Sequence, residues 1–405
     1  MRVMLQNHTF YPVLGGIENY LYHVSKALTE MGHQAIILCE RHDPSLSEFE
    51  IFDGIDIIRH PYYHVPKKWL LMKPRVLFER LKDLISQHVD GVDLIISRYA
   101  HYCCATCSLN LDIPVFYIPP SVFWRQLKKA SSNSPLKVKF FNWVWKRRLD
   151  YFERESLLKS NRVVVLSKNM EESLKRYYGL GEHEFTIIPP GVNVSKFARP
   201  KDLGLREELN LSEKDIVLLY VGRLSPEKNV ETVIREFEVI RRNGLKFLIV
   251  GYGSERSRLE KMRDAGQLDK EILFLGPRTD VERFYSIADI FISPSKHEPF
   301  GQVILEAMAA GLPCIAFKKV WPEYEVAAEE IIENGVTGYC VNPYDGNELR
   351  QRLLHLIENP DIREKMGEAG RRMCERRFTW DNHVRRLMDL MKHRPDEHRN
   401  RRKEL

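Results

Sequence analysis

The sequence lacks the features that would place a protein in a membrane or outside the cell. In its 405 residues, no apolar run approaches the roughly 20 residues that a helix needs to span a bilayer. The amino terminus, MRVMLQNHTF, has no apolar signal-peptide core, and its pattern is typical of a first strand. We therefore expect a cytoplasmic protein.

The balance of charges and the number of cysteines each argue against a class of protein. The 62 Lys and Arg exceed the 56 Asp and Glu by a net +6, which gives little support for a nucleic-acid-binding face. Seven cysteines, an odd number, favour reduced thiols over a disulfide framework. Cys103, Cys104 and Cys107 lie near His101, but no second cysteine pair has zinc-ligand spacing. We expect small buried side chains here, not a metal site.

Several nucleotide signatures are also missing. The sequence contains no GxxxxGK[ST] phosphate loop and no D-x-D that would chelate a divalent cation on a sugar nucleotide. Gly251 and Gly253 follow a predicted strand, but Arg256 stands where a dinucleotide fingerprint has its third glycine. An NAD-dependent oxidoreductase would have to bind its cofactor through this incomplete fingerprint. This function is therefore the least supported of those that we consider.

What is present is an α/β pattern long enough for two domains of about 200 residues each. Short Val- and Ile-rich runs alternate with amphipathic stretches, which predicts two doubly wound parallel sheets covered by helices on both faces. The predicted strands are Ala35–Cys39, Leu94–Ser97, Val115–Ile118, Val163–Leu166, Thr186–Ile188, Ile216–Val221, Phe247–Val250, Ile272–Leu275, Ile290–Ser293, Cys314–Phe317 and Gly338–Val341.

The stretch IPPGVNVSKFARPKDLG predicts the boundary between the domains, with a linker near Asn193–Pro200. This gives an amino-terminal domain over 1–195, a carboxyl-terminal domain over 200–377 and a solvated basic tail over 396–405. Ligands of open α/β sheets bind outside the carboxyl ends of the strands. We therefore expect the chemistry in loops that follow strands, around a cleft between the domains.

The loop in VLLYVGRLSPEKN carries two cations, Arg223 and Lys228, after a predicted strand. A guanidinium can hold phosphate oxygens bidentately and an ammonium adds a point charge, so the pair suits a diphosphate. The alternative is an ordinary capped helix with two solvated cations.

The segment HEPFGQVILEAMAAGLP predicts a helix that is apolar on nearly every side yet contains Glu306. Gly301 precedes it and permits close approach of an anion to the helix amino end, while Glu298 lies just outside. A buried Glu306 would be satisfied by the two vicinal hydroxyls of a ribose; the alternative is a structural ion pair. Together with the two cations, the pattern fits a nucleotide diphosphate attached to a polyhydroxy group.

These residues resemble the retaining glycosyltransferases of family 4, which have the two-domain GT-B fold. The pattern E-x7-E from Glu298 to Glu306 and the loop G-R-x4-K are specific to this resemblance. Further matching segments are FYPVLGGIENYLYHVSKALTEMGH, IIPPGVN, IVGYGSE, FLGPRTDVERFYSIADIFISPSKHEPFGQVILEAMAAGLPCIA and NGVTGYCVNPYDGNEL.

The resemblance implies roles for individual residues. Arg223 and Lys228 would bind the donor diphosphate and stabilise the leaving group, Glu298 would bind the transferred sugar, and these three form the predicted catalytic set. Glu306 would bind the ribose. The remaining predicted donor-binding residues are Gly15, Gly16, Gly253, Arg278, Phe300, Gly301 and Gln302. Arg278 is expected near the nucleobase, and a last helix, 378–395, is expected to cross back to the amino-terminal domain. No metal and no other cofactor is expected.

The sequence departs from the family in its amino-terminal half. Many members carry a His after the strand that here is IPVFYIPPS, but Tyr117–Pro120 contains none. His101 is the acceptor-side candidate, against the alternative of a structural histidine. Asn193 replaces a usual Asp and is expected to cap a turn in the same way.

The predicted function is retaining, metal-independent transfer of a hexosyl residue from a UDP- or GDP-sugar to a saccharide or lipid-linked glycan. The alternative is a catalytically weak or inactive GT-B protein that only binds a nucleotide sugar. Lys, Arg, Phe and Trp interleave over 136–158, which favours peripheral association with an anionic membrane; the alternative is a long helix whose aromatics pack inward.

Overall fold

The computed structural model describes residues 1–13, 15–61, 74–121 and 136–392, which form two compact units. Unit 1 contains Met1–Leu166, Met170–Ile188 and the chain from His383 on, and unit 2 contains Ser167–Asn169 and Pro189–Asn382. The change of unit at Ile188 lies a few residues before the linker predicted from the sequence. The predicted basic tail, 396–405, lies outside the described residues.

Unit 1 is built on one sheet that is almost entirely parallel. Its described strands are β1 (Arg2–Gln6), β2 (Gln34–Arg41), β3 (Phe49–Phe52), β4 (Ile55–Pro61), β5 (Leu94–Ser97), β6 (Val115–Tyr117), β7 (Arg162–Val165) and β8 (Thr186–Ile187). They lie in the order β3-β4-β2-β1-β5-β6-β7-β8, and only the edge strand β3 is antiparallel to its neighbour. Central strands such as Leu94–Ser97 are buried along their whole length, as a sheet covered on both faces requires.

Helices cover the sheet of unit 1. They are α1 (Gly16–Glu30), α2 (Pro74–Ser86), α3 (Ala100–Ser108), α4 (Leu136–Lys159) and α5 (Lys168–Tyr178), the last of which begins in unit 2. In α1 the buried residues Tyr20, Leu21, Val24 and Leu28 recur at helical spacing, so one apolar stripe faces the core.

Unit 2 repeats the design with a six-stranded parallel sheet in the described chain. Its strands are β9 (Ile216–Val221), β10 (Leu245–Val250), β11 (Ile272–Gly276), β12 (Ile290–Ser293), β14 (Cys314–Phe317) and β16 (Gly338–Val341), in the order β11-β10-β9-β12-β14-β16. A separate parallel pair joins β13 (His297–Glu298) to β15 (Glu325–Val326).

The helices of unit 2 complete the fold. They are α6 (Val194–Phe197), α7 (Leu203–Glu208), α8 (Val230–Ile240), α9 (Arg256–Ala265), α10 (Val281–Ile287), α11 (Gln302–Ala309), α12 (Ala328–Ile331), α13 (Gly346–Glu358) and α14 (Pro360–Arg377). A final helix, α15 (Trp380–Lys392), begins in unit 2 and belongs to unit 1 from His383 on. Within the described ranges, no helix is long and apolar enough to cross a membrane.

Each sheet has a point where the strand order reverses. In unit 1 the reversal lies between β1 and β5, and in unit 2 it lies between β9 and β12. At such a point the two following loops diverge to opposite faces and leave a crevice in which ligands of doubly wound sheets bind. The loops after β9 and β12 are those that carry Arg223, Lys228 and Glu298.

The backbones of the loops after β9, β10 and β11 are in direct contact, and glycine makes this contact possible. The Gly222 amide donates to the Val250 carbonyl at 3.0 Å, and the Gly251 amide donates to the Gly276 carbonyl at 2.8 Å. Gly251 has a φ of +139°, and a Cβ there would lie 1.9 Å from the Gly222 carbonyl oxygen. Only glycine meets both requirements.

We therefore expect the substitution Gly251→Ala to destabilise unit 2 by about 2 kcal/mol, because a methyl group would push the loops apart. For a unit of this size the thermal midpoint should fall by roughly 4–8 °C. The matched control is Gly204→Ala, within α7, where the nearest atom, Oδ1 of the N-cap Asp202, would lie at an ordinary contact distance of 3.5 Å. It should leave the midpoint unchanged or raise it slightly. Equal midpoints for the two variants would contradict the stacking argument.

Candidate functional site

The loop after β9 holds the two predicted phosphate-binding cations in different environments. A single 3-10 turn, Pro226–Lys228, precedes α8, and Asn229 in the left-handed conformation separates the two. The Arg223 side chain is 63% exposed and lies 3.7 Å from the Glu227 carboxylate. The Lys228 side chain is only 14% exposed. The alternative of two solvated cations therefore fits Arg223 but is wrong for Lys228.

Lys228 joins this loop to the loop after β12. Its ammonium forms an ion pair with the Glu298 carboxylate, whose side chain is 18% exposed. The Lys296 amide also donates to the Glu227 carbonyl at 2.8 Å, so backbone and side chains both connect the two loops. The structure thus brings together Lys228 and Glu298, which are 70 residues apart in the sequence.

The amino end of α11 begins next to Glu298 and has no side-chain cap. Gly301 occupies the left-handed region with φ of 116°, and a Cβ there would lie 3.1 Å from Ile304 Cδ1. The first amide groups of a helix have no intrahelical acceptor, and the aligned peptide dipoles make this end partly positive. The Lys228 ammonium and this helix amino end are therefore both near Glu298, an arrangement that suits an anion, and Arg223 lies in the same loop as Lys228.

The side chains on either side of Gly301 fix the backbone there. Phe300 is buried and packs edge-on against Phe378, with ring centroids 6.3 Å apart. The Gln302 amide group donates to the Gly191 carbonyl at 2.9 Å. Phe300 is thus held by packing and the partly buried Gln302 by its hydrogen bond; that their backbone amides contact a ligand stays a prediction.

Glu306 lies in the second turn of α11. The Tyr285 hydroxyl donates to it at 3.0 Å, and within the described part of the chain no Lys or Arg lies at salt-bridge distance. Burial raises its pKa to about 7, although the Tyr285 hydrogen bond and the charge of Lys196 oppose the shift. The described residues therefore show no structural ion pair for Glu306, and its predicted role stays a prediction. The carboxylate has acceptor capacity left for a ligand.

Tyr285 is a residue that sequence reasoning missed. Its ring is fully buried in α10, and its hydroxyl also lies 3.4 Å from the Val303 carbonyl. Nothing in its local pattern distinguishes it from an ordinary core tyrosine, since its contact with Glu306 spans 21 residues.

Gly253 and Arg278 line the edge of the same loop cluster. A Cβ on Gly253 would lie 2.2 Å from the Leu224 carbonyl oxygen, so this glycine lets its loop pack behind Arg223. Arg278 donates two hydrogen bonds to Asp280, at 2.9 and 2.8 Å, and these lower the Asp280 pKa to about 2. The guanidinium also lies over the Phe284 ring, 5.0 Å from its centroid.

In unit 1, Gly15 and Gly16 begin α1 after the first strand. A Cβ on Gly15 would lie 2.4 Å from Glu18 Oε2, whereas Gly16 has open space around it. Glu18 is buried and accepts a hydrogen bond from the Thr9 hydroxyl. A side chain at Gly15 would therefore have to displace the Glu18 carboxylate, and nothing in the local packing explains Gly16.

His101 lies in the first turn of α3, and its ring packs against Phe152 and Tyr99 at centroid distances of 4.2 and 5.0 Å. Burial lowers its pKa to about 3, with further lowering by the charge of Arg148. His101 is therefore uncharged at neutral pH and too weak a base to accept a proton there.

Metal binding finds no support in the described side chains. Cys103 and Cys104 are buried, Cys107 is partly buried, and none of the three forms a disulfide in the described part of the chain. Across residues 1–13, 15–61, 74–121 and 136–392, no group of three His, Cys, Asp or Glu side chains is placed to hold a metal ion.

Comparison with known sequences gives two profile matches that cover most of the chain. The profile "Glycosyltransferase Family 4" matches residues 14–196, and the profile "Glycosyl transferases group 1" matches residues 204–373. One similar protein is the alpha-monoglucosyldiacylglycerol synthase of Acholeplasma laidlawii, 24% identical over 376 residues and aligned over 89% of each chain.

Solved structures with the same fold include two that align along nearly their whole length. Sucrose-phosphate synthase from Thermosynechococcus elongatus has a TM-score of 0.78 at 22% identity and covers 96% of this chain and 98% of its own. HepE from Anabaena, solved in complex with UDP, has a TM-score of 0.72 at 19% identity and covers 97% and 100%.

The two profile matches indicate the same family as the E-x7-E pattern and the loop after β9. The two doubly wound sheets are the fold expected of that family. The chain is a glycosyltransferase with the GT-B fold and belongs to glycosyltransferase family 4.

Proposed function

We propose that the protein transfers a hexosyl residue from a UDP- or GDP-sugar to a saccharide or lipid-linked glycan, with retention of configuration and without a bound metal. The observation that carries the proposal is the Lys228–Glu298 ion pair beside the uncapped amino end of α11. It lies at the strand-order reversal of unit 2, where doubly wound sheets bind nucleotides.

The donor diphosphate would replace Glu298 as the partner of Lys228. The exposed Arg223 is free to turn toward the same oxygens, since its contact with Glu227 at 3.7 Å is long. Negative charge grows on the diphosphate as the sugar–oxygen bond breaks. Two cations and a helix amino end stabilise that charge without metal. Glu298, released from Lys228, would then accept hydrogen bonds from hydroxyls of the transferred sugar.

The ribose would bind at Glu306, whose position in α11 is about one and a half turns from Gly301. Two vicinal hydroxyls donating to an ionised carboxylate offset the cost of burying its charge. HepE was solved with UDP and with UDP-glucose, and this supports UDP as one donor nucleotide to test, beside GDP.

The acceptor is proposed to be a saccharide or a lipid-linked glycan. The A. laidlawii relative is named for a glucosyl lipid product, which supports the lipid alternative. The described part of α4 supplies a matching surface: Trp143 and Tyr151 are 52% and 57% exposed, and the Arg147 guanidinium lies 4.7 Å from the Trp143 ring centroid. Their spacing of four residues places all three on one helix face.

This face has the composition of an interfacial membrane anchor. Arg154, one turn further along, is exposed as well, while Phe152 and Glu153 are buried on the opposite face. Exposed aromatic rings enter the headgroup region, and the guanidinium groups attract anionic lipids. We therefore propose a peripheral association with an anionic membrane through α4.

The substitution Lys228→Ala should lower the rate of nucleoside diphosphate release by about 100-fold or more, because it removes a cation from the leaving group. The assay uses UDP-glucose and GDP-mannose with a panel of saccharide and lipid acceptors, in EDTA, because the proposal needs no metal. Lys261→Ala, an exposed lysine of α9, is the matched control and should retain full activity. A folded Lys228→Ala variant with wild-type turnover would rule out the diphosphate role.

Donor binding should weaken on acidification. Glu306 has a raised pKa of about 7, and the ribose hydroxyls bind its ionised form. Between pH 8 and pH 6 the ionised fraction falls about tenfold, so the affinity for the nucleotide sugar should fall by up to about tenfold. Calorimetry with UDP-glucose or GDP-mannose measures this, because these diphosphate diesters do not titrate near pH 6.

The pH dependence should disappear in Glu306→Gln. It should persist in Glu207→Gln, which removes an exposed carboxylate of unit 2. A pH-dependent affinity that is the same in all three proteins would show that another group is responsible.

The double substitution Trp143→Ala and Tyr151→Ala should leave most of the protein in the supernatant when it is sedimented with phosphatidylglycerol vesicles at low salt. The wild type and the control Tyr344→Ala, which removes an exposed tyrosine of unit 2, should sediment with the vesicles. If the wild type stays in the supernatant, the membrane proposal fails, and soluble saccharides become the acceptors to test first.

A further inference from the structure

Unit 1 has a histidine–carboxylate pair at the carboxyl end of its sheet, and the proposed donor site does not use it. His8 is the second residue after β1, and Glu40 is the last residue but one of β2. The Nδ1 atom of His8 lies 3.1 Å from Oε1 of Glu40. The His8 side chain is 37% exposed and the Glu40 side chain is 18% exposed. A ligand can therefore reach the imidazole, whereas the carboxylate is largely shielded from water.

The imidazole lies at the strand-order reversal of unit 1. This reversal is between β1 and β5, and the loops that follow these two strands diverge there. Tyr99 is the second residue after β5, and its ring stacks on the His8 ring with centroids 5.2 Å apart and an interplanar angle of 23°. The two rings thus come from the two loops that border the crevice in which a doubly wound sheet binds its ligand.

Backbone hydrogen bonds hold the loop of His8 in place. The Asn7 amide donates to the Leu38 carbonyl at 3.2 Å. The Glu40 amide donates to the His8 carbonyl at 3.1 Å, so the pairing of β1 with β2 continues beyond the end of β1. The Asn7 side-chain amide also donates to the Thr9 carbonyl at 2.8 Å. His8 is therefore held by backbone that is itself fixed, as a precise binding site requires.

Glu40 determines which nitrogen of the imidazole is available as an acceptor. A carboxylate accepts from a ring N–H, so Glu40 favours the tautomer that carries its proton on Nδ1. In that tautomer Nε2 is the acceptor atom of the ring. A neutral His8 can thus accept a hydrogen bond from a hydroxyl group.

The titratable groups around His8 come from four elements. Burial lowers the pKa of His8, but the contact with Glu40 in β2 and the charge of Glu18 in α1 outweigh it, so this pKa lies above its usual value. His60 in β4 and His101 in α3 have pKa values that burial lowers, and both are uncharged at neutral pH. The ionised groups that act on His8 are therefore two carboxylates.

These charges favour an uncharged ligand over a phosphate. Glu40 and Glu18 repel an anion that approaches His8, whereas a hydroxyl group carries no charge to repel. Arg98 acts on Glu18 but is itself only 3% exposed, and its guanidinium lies over the Tyr20 ring, 4.1 Å from the centroid. The surroundings of His8 thus differ from those of Lys228, which suit a diphosphate.

We propose that His8 binds a hydroxyl group of the saccharide acceptor through Nε2, while Glu40 holds the imidazole in the required tautomer. The identification of this hydroxyl as part of the acceptor rests on the proposed glycosyl transfer. The site itself rests only on unit 1. In this proposal His8, and not the predicted His101, is the acceptor-side histidine.

The first test separates acceptor binding from donor binding. His8→Phe keeps a ring that can stack on Tyr99 but removes both nitrogens. With saturating UDP-glucose or GDP-mannose it should raise the KM for a saccharide acceptor about tenfold, because one hydrogen bond is lost. Its affinity for the donor in calorimetry should not change. The matched control is His33→Phe, which removes a partly buried histidine before β2, at the opposite end of the sheet, and should alter neither quantity.

The pH profile tests the role of Glu40. His8 accepts a hydrogen bond only when it is neutral, so kcat/KM for the acceptor should rise with pH through the raised pKa of His8. The donor is kept saturating at every pH, so that donor binding does not contribute. Glu40→Gln removes a charge that stabilises the imidazolium, which should lower the pKa of His8 and shift the rise to lower pH. This variant keeps the turnover test open if His8→Phe does not fold, and an unshifted rise would contradict the role of Glu40.

Nuclear magnetic resonance tests the site without turnover. The protein is prepared with isotopically labelled histidine, and the signals that His8→Phe lacks are those of His8. Glucose, galactose and N-acetylglucosamine are titrated in turn, and at least one of them should shift the His8 imidazole signals. Lys228→Ala should show the same shift, because Lys228 belongs to unit 2.

These measurements keep the inference distinct from the proposed function. If all three sugars leave the His8 signals unchanged, or if a folded His8→Phe variant retains the wild-type acceptor KM, the hydroxyl site is wrong, whatever the rate of transfer. If a sugar shifts the His8 signals but no nucleoside diphosphate is released, the proposed transfer fails and the site stands.

Discussion

The contact between Lys228 and Glu298 is the interaction on which the candidate donor site depends. It joins the loop after β9 to the loop after β12, where the strand order of unit 2 reverses. Each partner is largely removed from water, and each satisfies the charge of the other. In the proposed reaction the diphosphate takes the ammonium and the sugar takes the carboxylate. The ion pair therefore keeps both groups in place before the donor arrives.

Much of the fold could be predicted from the sequence because buried parallel strands are short, apolar and bounded by turns. Leu94–Ser97, Ile216–Val221, Ile290–Ser293, Cys314–Phe317 and Gly338–Val341 were predicted with the bounds that the structure shows. The edge strand β3 and its neighbour β4 were missed. In β3 both Phe49 and Ile51 are exposed, so the strand lacks the burial that produces the usual pattern.

The site could be predicted in part. The motif spacing indicated Glu298, Glu306 and the loop of Lys228, but long-range contacts such as Tyr285 with Glu306 leave no local pattern. The low pKa of His101 likewise depends on burial by Phe152, far away in the sequence.

The most direct test is a crystal structure with UDP or GDP bound. The account predicts that Lys228 exchanges Glu298 for a phosphate oxygen at the amino end of α11, with the ribose on Glu306. A nucleotide bound elsewhere, with the Lys228–Glu298 pair intact, would contradict it.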